Sequence, residues 1–156
     1  MVTADSHKML PVSNSSLFAL QQKHLKPFVD VLGHSKVRHE QLMVMTGHVQ
    51  YSVLDPQAPA SLSYSITTKL LRQQMGFRGV IITDGLGMKA LSGSLESRIW
   101  RALQAGADMV LVEGGMQEQL SPAMARIVKR YGSNKALWLK NEASLRRILA
   151  MKQAVR

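Results

Sequence analysis

Apolar positions along the chain follow two spacings in turn. From Leu17 to Leu32, Leu17, Leu20, Leu25, Phe28, Val29 and Leu32 recur at helical intervals, and Gly33 closes the stretch as a C-cap. Pro27 predicts a kink there, or a division into two short helices, because its ring removes a backbone donor and crowds the preceding turn. The spacing then changes. Leu42-Met43-Val44-Met45-Thr46 is a short unbroken run followed by Gly47-His48, as expected of a strand buried on both faces. A loop with Pro56, Pro59 and Ser61 leads to a predicted helix from about Ser63 to Met75, striped by Ile66, Leu70, Leu71 and Met75 and ended by Gly76. A second strand, Val80 to Thr83, comes next. The cycle repeats with a helix from Leu95 to Ala105, a stop at Gly106 and a third strand from Met109 to Val112. After Gly114-Gly115, helices are predicted from about Ser121 to Tyr131 and from about Asn141 to Val155, the latter with Leu145, Ile148, Leu149 and Met151 on its apolar side. Residues 1–16 are polar and turn-rich and read as a long loop.

Strands that alternate with helices predict a parallel α/β sheet. The 156 residues suit one domain. Three strands are few for a doubly wound fold and too few for an eight-stranded barrel of roughly 250 residues. The pattern reads as part of something larger.

Composition narrows the chemistry. Hydrophobic residues make up 46% and charged residues 19%, enough for a sizeable core. The absence of cysteine removes disulfides, thiolate metal sites and thiol nucleophiles. No run reaches the roughly 18 apolar residues of a membrane span, and MVTADSHKML does not read as a signal peptide. Any export signal would precede Met1, so no compartment is assigned. The net charge of +10 admits an anionic partner. Yet Lys69, Arg72, Arg78, Arg98 and Arg101 are scattered, while Lys129-Arg130 and Arg146-Arg147 fall on predicted helices, so solvated helix faces are the simpler reading. Aromatics amount to 5% and do not interleave with the basic residues, and no nucleic-acid partner is expected.

In parallel α/β folds, reactive side chains gather at the carboxyl ends of the strands. Three polar residues take such positions: His48, Asp84 and Glu113. Asp84 ends the run Val80-Ile81-Ile82-Thr83 and is followed by Gly85 and Gly87. Its carboxylate suits a nucleophile, a metal ligand or the N-cap of a helix starting near Leu86, and the strand pattern does not choose among them. A second cluster is Asp5-Ser6-His7, where an aspartate can orient an imidazole and raise its basicity for proton transfer, although a solvated polar loop is the plainer reading. His24, His34 and His39 lack partners at metal-ligand spacing and read as surface residues. No phosphate-binding glycine loop and no nucleophile elbow occurs.

The stretch GFRGVIITDGLGMKAL resembles the nucleophile segment of family 3 glycoside hydrolases. DSHKMLPV resembles a loop of that family's bacterial β-N-acetylglucosaminidase branch, and LMVMTGHVQYSVLDPQAPASLSYSITTKLLRQQMGF, ALQAGADMVLV and NEASLRRILAMK are similar to further segments in the same order. The resemblance implies a (β/α)8 TIM-type barrel, of which this chain would be the C-terminal portion, about three β/α units. It implies a retaining glycosidase with no cofactor, with Asp84 as nucleophile, His7 as acid/base and Asp5 as its orienting partner. His48 matches a strand-end histidine with either a supporting role or substrate contact. The implied substrate is an N-acetylglucosamine-containing glycoside or muropeptide.

The departures matter as much. The family's DSHxxLP loop follows a KHFPGHG strand and loop and earlier sugar-gripping strands, while this sequence begins almost at the dyad. A barrel half would expose strand edges and an apolar inner face. The expectation is a chain with little activity alone, one that self-associates or pairs with a complementing N-terminal half. Gly85 stands where many relatives carry a second acidic residue.

Overall fold

Local rules account for most of the elements in the computed structural model, which describes residues 4–34, 36 and 38–155. The described strands are β1 (Val12–Ser13), β2 (Met43–Thr46), β3 (Gln50–Tyr51), β4 (Val80–Gly85) and β5 (Met109–Leu111). The α-helices are α1 (Leu17–Ala19), α2 (Lys26–Leu32), α3 (Leu95–Ala105), α4 (Gln117–Gly132) and α5 (Lys135–Ala154). Wide π-type turns occupy Leu20–His24 and Ser65–Gln74, closed by Leu25 N–H to Leu20 O (2.8 Å) and Met75 N–H to Leu70 O (2.9 Å). Pro27 sits in the first turn of α2, where its missing N–H costs nothing, and the Leu17–Leu32 stretch divides there.

β2, β4 and β5 form a parallel sheet in the order β2-β4-β5, with β4 in the centre. Val80 and Ile81 of β4 are fully buried. Behind the sheet, Ile81 packs in one cluster with Phe77, Leu86, Leu95, Ile99, Ala102 and Ile127. Each leucine, isoleucine or phenylalanine removed from water there stabilises the fold by about 1.5–3 kcal/mol. α3 supplies Leu95, Ile99 and Ala102 at helical spacing. The Ser94 hydroxyl caps its start by accepting the Ser97 N–H, and Gly106 ends it at φ +111°. There an added Cβ would also meet Thr68 Oγ1 at 2.3 Å.

The other face of the sheet is open. Register pairs Met45 with Ile82 and Ile82 with Met109. Alternation along each strand therefore sets Met43, Met45, Ile82, Asp84, Met109 and Leu111 on one side. Met45 is 56% exposed, Met43 43% and Leu111 41%. The expectation of strands buried on both faces thus holds for the start of β4 and fails for β2 and β5, because no described element covers this side.

Three further differences stand out. The 1–16 loop contains β1, which pairs in parallel with β3, a strand the spacing did not announce. Residues 1–3 of that loop lie outside the described residues. α4 and α5 begin earlier than the apolar pattern indicates. Leu145 and Leu149, assigned to the apolar side of α5, are about half exposed.

Candidate active site

β4 runs two residues beyond its apolar stretch, so Asp84 is its penultimate residue and is half-buried at the carboxyl end of the central strand. No helix follows at Leu86; residues 86–94 are turns and loop, and the next helix is α3 with its own cap. The helix-cap reading of Asp84 is thereby overturned. Among the described residues its Oδ1 accepts only the adjacent Gly85 N–H, at 2.8 Å.

The segment after Asp84 is held at nearly every backbone polar atom. The Gly85 carbonyl accepts from His48 Nε2 at 2.7 Å and from Met88 N–H at 3.2 Å. Leu86 N–H donates to Leu111 O at 2.9 Å, and Leu86 O accepts from Arg98 Nη1 at 2.7 Å. Gly87 N–H donates to Glu113 Oε2 at 2.6 Å. His48 itself is fully buried, and its Nδ1 meets Ser61 Oγ at 2.7 Å. A carbonyl only accepts, so Nε2 carries a proton and Nδ1 faces the Ser61 hydroxyl. Both ring nitrogens are engaged within the protein.

Asp5 and His7 are in hydrogen-bond contact. Asp5 Oδ1 lies 2.9 Å from His7 Nδ1 and also accepts the His7 N–H at 2.9 Å. These contacts, the backbone one foremost, hold the exposed Asp5 carboxyl below its ordinary value. With Nδ1 paired, Nε2 is the ring atom left for proton exchange. Ala90 N–H donates to Ser6 O at 3.2 Å, tying the middle of the Asp-Ser-His triplet to the segment that follows Asp84. Gln50 N–H to Pro11 O (2.9 Å) and Ser52 N–H to Ser13 O (3.2 Å) anchor the far side of the loop just past His48. Hydrogen bonds thus join the segments carrying Asp5–His7 and His48 to the stretch that follows Asp84.

Other polar residues carry structure. His39, read from sequence as a surface residue, is half-buried; its Nε2 bonds Leu32 O (2.9 Å), its Nδ1 accepts Arg78 N–H (3.1 Å), and its ring packs on Phe77. Asp108, which sequence reasoning passed over, has a side chain with no exposure. It accepts from Ile81 N–H, Ser144 and Arg147 and pairs with Arg72. The readable signal was a carboxylate directly before an apolar strand. Among the described residues no group of three or more His, Asp or Glu is set to hold a metal ion.

A family model described as the glycosyl hydrolase family 3 N terminal domain matches residues 1–151. The chain belongs to glycosyl hydrolase family 3. It is 41% identical over 113 residues to a Shewanella frigidimarina protein named beta-hexosaminidase, covering 71% of this chain and 32% of that one. Its fold superposes on a family 3 beta-N-acetylglucosaminidase from a Paenibacillus species with a TM-score of 0.82 at 30% identity, over 96% of this chain and 28% of the other. A beta-N-acetylhexosaminidase from Beutenbergia cavernae gives a TM-score of 0.84 at 27% identity, over 97% and 44%. The family 3 N-terminal domain is a TIM-barrel-type fold in such neighbours, and this chain is a partial α/β piece of it, its aligned segment spanning about a third of the length of the curated relatives it matches.

Proposed function

We propose that this family 3 chain is the C-terminal portion, about three β/α units, of a (β/α)8 barrel and bears the reacting groups of a retaining β-N-acetylhexosaminidase. One observation carries the reading: Asp84 stands at the carboxyl end of the central strand, and the Asp5–His7 loop is tied to the same segment through Ser6 and Ala90. In the first step Asp84 attacks the anomeric carbon and His7 Nε2 gives its proton to the departing glycosidic oxygen. In the second, His7 takes a proton from water, whose oxygen displaces Asp84 and frees the sugar. Asp5 holds the imidazole through Nδ1 and fixes the orientation of the ring. The substrate is a terminal N-acetylhexosaminide, free or in a muropeptide.

The open sheet face supports a second element of the proposal. The strands that would cover Met43, Met45 and Leu111, and that would supply the groups gripping the sugar, are not among the described residues. Without that grip, binding energy cannot set the anomeric carbon over Asp84. The 156 residues alone are therefore proposed to be weak or inactive, and to act within a completed barrel, either in one chain or with a complementing N-terminal half. The test is hydrolysis of a chromogenic N-acetyl-β-glucosaminide by the chain alone and after mixing with the part of the Shewanella relative that precedes its aligned segment. A chimeric single chain of the two serves as a second arrangement. Turnover in the completed forms only, removed by Asp84→Asn, is expected. Full turnover by the chain alone, or turnover that survives Asp84→Asn, contradicts the proposal.

A further inference from the structure

Glu113 lies two residues past the end of β5, beside the end of β4, and the reaction above leaves it without a role. Its carboxylate is laid across the backbone that follows Asp84. Oε2 accepts the Gly87 N–H at 2.6 Å. A Cβ built on Gly85 would stand 2.1 Å from Oε1, and one built on Gly87 would stand 2.6 Å from Oε2 and 2.8 Å from Met116 Sδ. One oxygen thus sits over each glycine, a contact that any side chain at either position would break.

Gly85 is consequently held from three directions. Asp84 accepts its N–H, His48 donates to its carbonyl, and the Glu113 carboxylate fills the space where a side chain would stand. Leu86 N–H goes to Leu111 O on β5 itself, so strand and carboxylate grip successive residues of one turn. We propose that Glu113 is a positioning residue for Asp84, a clamp reaching from β5, and that Gly85 and Gly87 are glycines because the clamp occupies their side-chain space. The role assigned to Asp84 rests on the proposed function; the clamp itself does not.

Two experiments separate those layers. The first needs no activity. Gly85→Ala is expected to lower the melting temperature of the chain by roughly 3–10 °C, as overpacking does, and to do so far less in a Glu113→Ala background. Where Gly85→Ala alone fails to fold, a folded double variant carries the same meaning. Equal effects in both backgrounds overturn the clamp. Amide exchange at Gly87 reports the same contact, accelerating about 10- to 100-fold in Glu113→Ala and much less in Glu113→Gln, whose amide oxygen still accepts. The second experiment uses the completed barrel. Glu113→Ala is expected to lower kcat about 10- to 100-fold with KM nearly unchanged, and Glu113→Gln to restore most of it. A coupled clamp with unaltered kcat would overturn the positioning role alone. Activity indifferent to Asp84→Asn would instead overturn the parent reading and leave the clamp standing.

Discussion

His48 engages one ring nitrogen with Ser61 and the other with the Gly85 carbonyl, so its place at a strand end serves the backbone next to Asp84. Replacing it by alanine removes a buried ring and strands the Ser61 hydroxyl. A loss of about 2–4 kcal/mol by chemical denaturation is expected, and a loss within experimental error would show that the contact carries no weight. Asp5 makes a pH-dependent prediction. Its carboxyl is lowered in the folded chain by the His7 backbone N–H first, then by the His7 ring. The stabilisation from this pairing is therefore present above 3.8, the ordinary aspartate value, and disappears as the pH falls through the lower folded value. Followed by carboxyl-carbon NMR, Asp5 should titrate below 3.8. His7→Ala should return it only part of the way, since the backbone donor remains; a midpoint that does not move contradicts the ring contact. Asp84 and the Asp5–His7 pair were legible because each is local, a carboxylate ending an apolar run and two residues within one turn. The contacts of His48 with Gly85 and of His39 with Arg78 were not legible, because those partners lie far away in sequence and meet only in the fold.

Asp108 links four elements. It receives the Ile81 N–H of β4 at 2.9 Å, Ser144 at 2.8 Å and Arg147 at 2.7 Å from α5, and pairs with Arg72 of the Ser65–Gln74 helix, all directly before β5. Burial pushes the Arg72 guanidinium below its ordinary value, with the Asp108 charge opposing the shift. A carboxylate out of water beside two partly buried arginines is costly, and removing it leaves the cations uncompensated. Asp108→Ala should cost about 3–5 kcal/mol in denaturant, with amide exchange in α5 rising first. A variant as stable as the parent would remove Asp108 as the tie between α5 and the sheet. Helix and strand order was readable from spacing, and α3 with Gly106 most clearly. β1 and β3 are two residues each, too short to show a period. The first turn of α4 precedes the Ser121-Pro122 pair, which resembles a helix start but lies inside the helix. The early start of α5 depended on Asn134, whose side chain accepts from Ala136 and Leu137, a cap signal without an apolar stripe behind it.

Among the described residues the molecule is built on a three-stranded parallel sheet, with helices on one side and an apolar face on the other, and a separate two-stranded pair of β1 and β3. On the proposed reading, the strands that would cover Met43, Met45 and Leu111 on that face would also complete the site beside Asp84. The chain alone should bind an apolar dye and associate as its concentration rises, and Met45→Lys should reduce both. A monomer that binds no dye would contradict the open face. The measurement that bears most directly on the central claim is covalent trapping. The completed barrel is incubated with a fluorinated N-acetylglucosaminide that forms the glycosyl-enzyme quickly and hydrolyses slowly, then digested and read by mass spectrometry. A single sugar adduct on the peptide containing Asp84, absent from Asp84→Asn, is predicted. Turnover without an adduct at Asp84, or an adduct on another carboxylate, would contradict it.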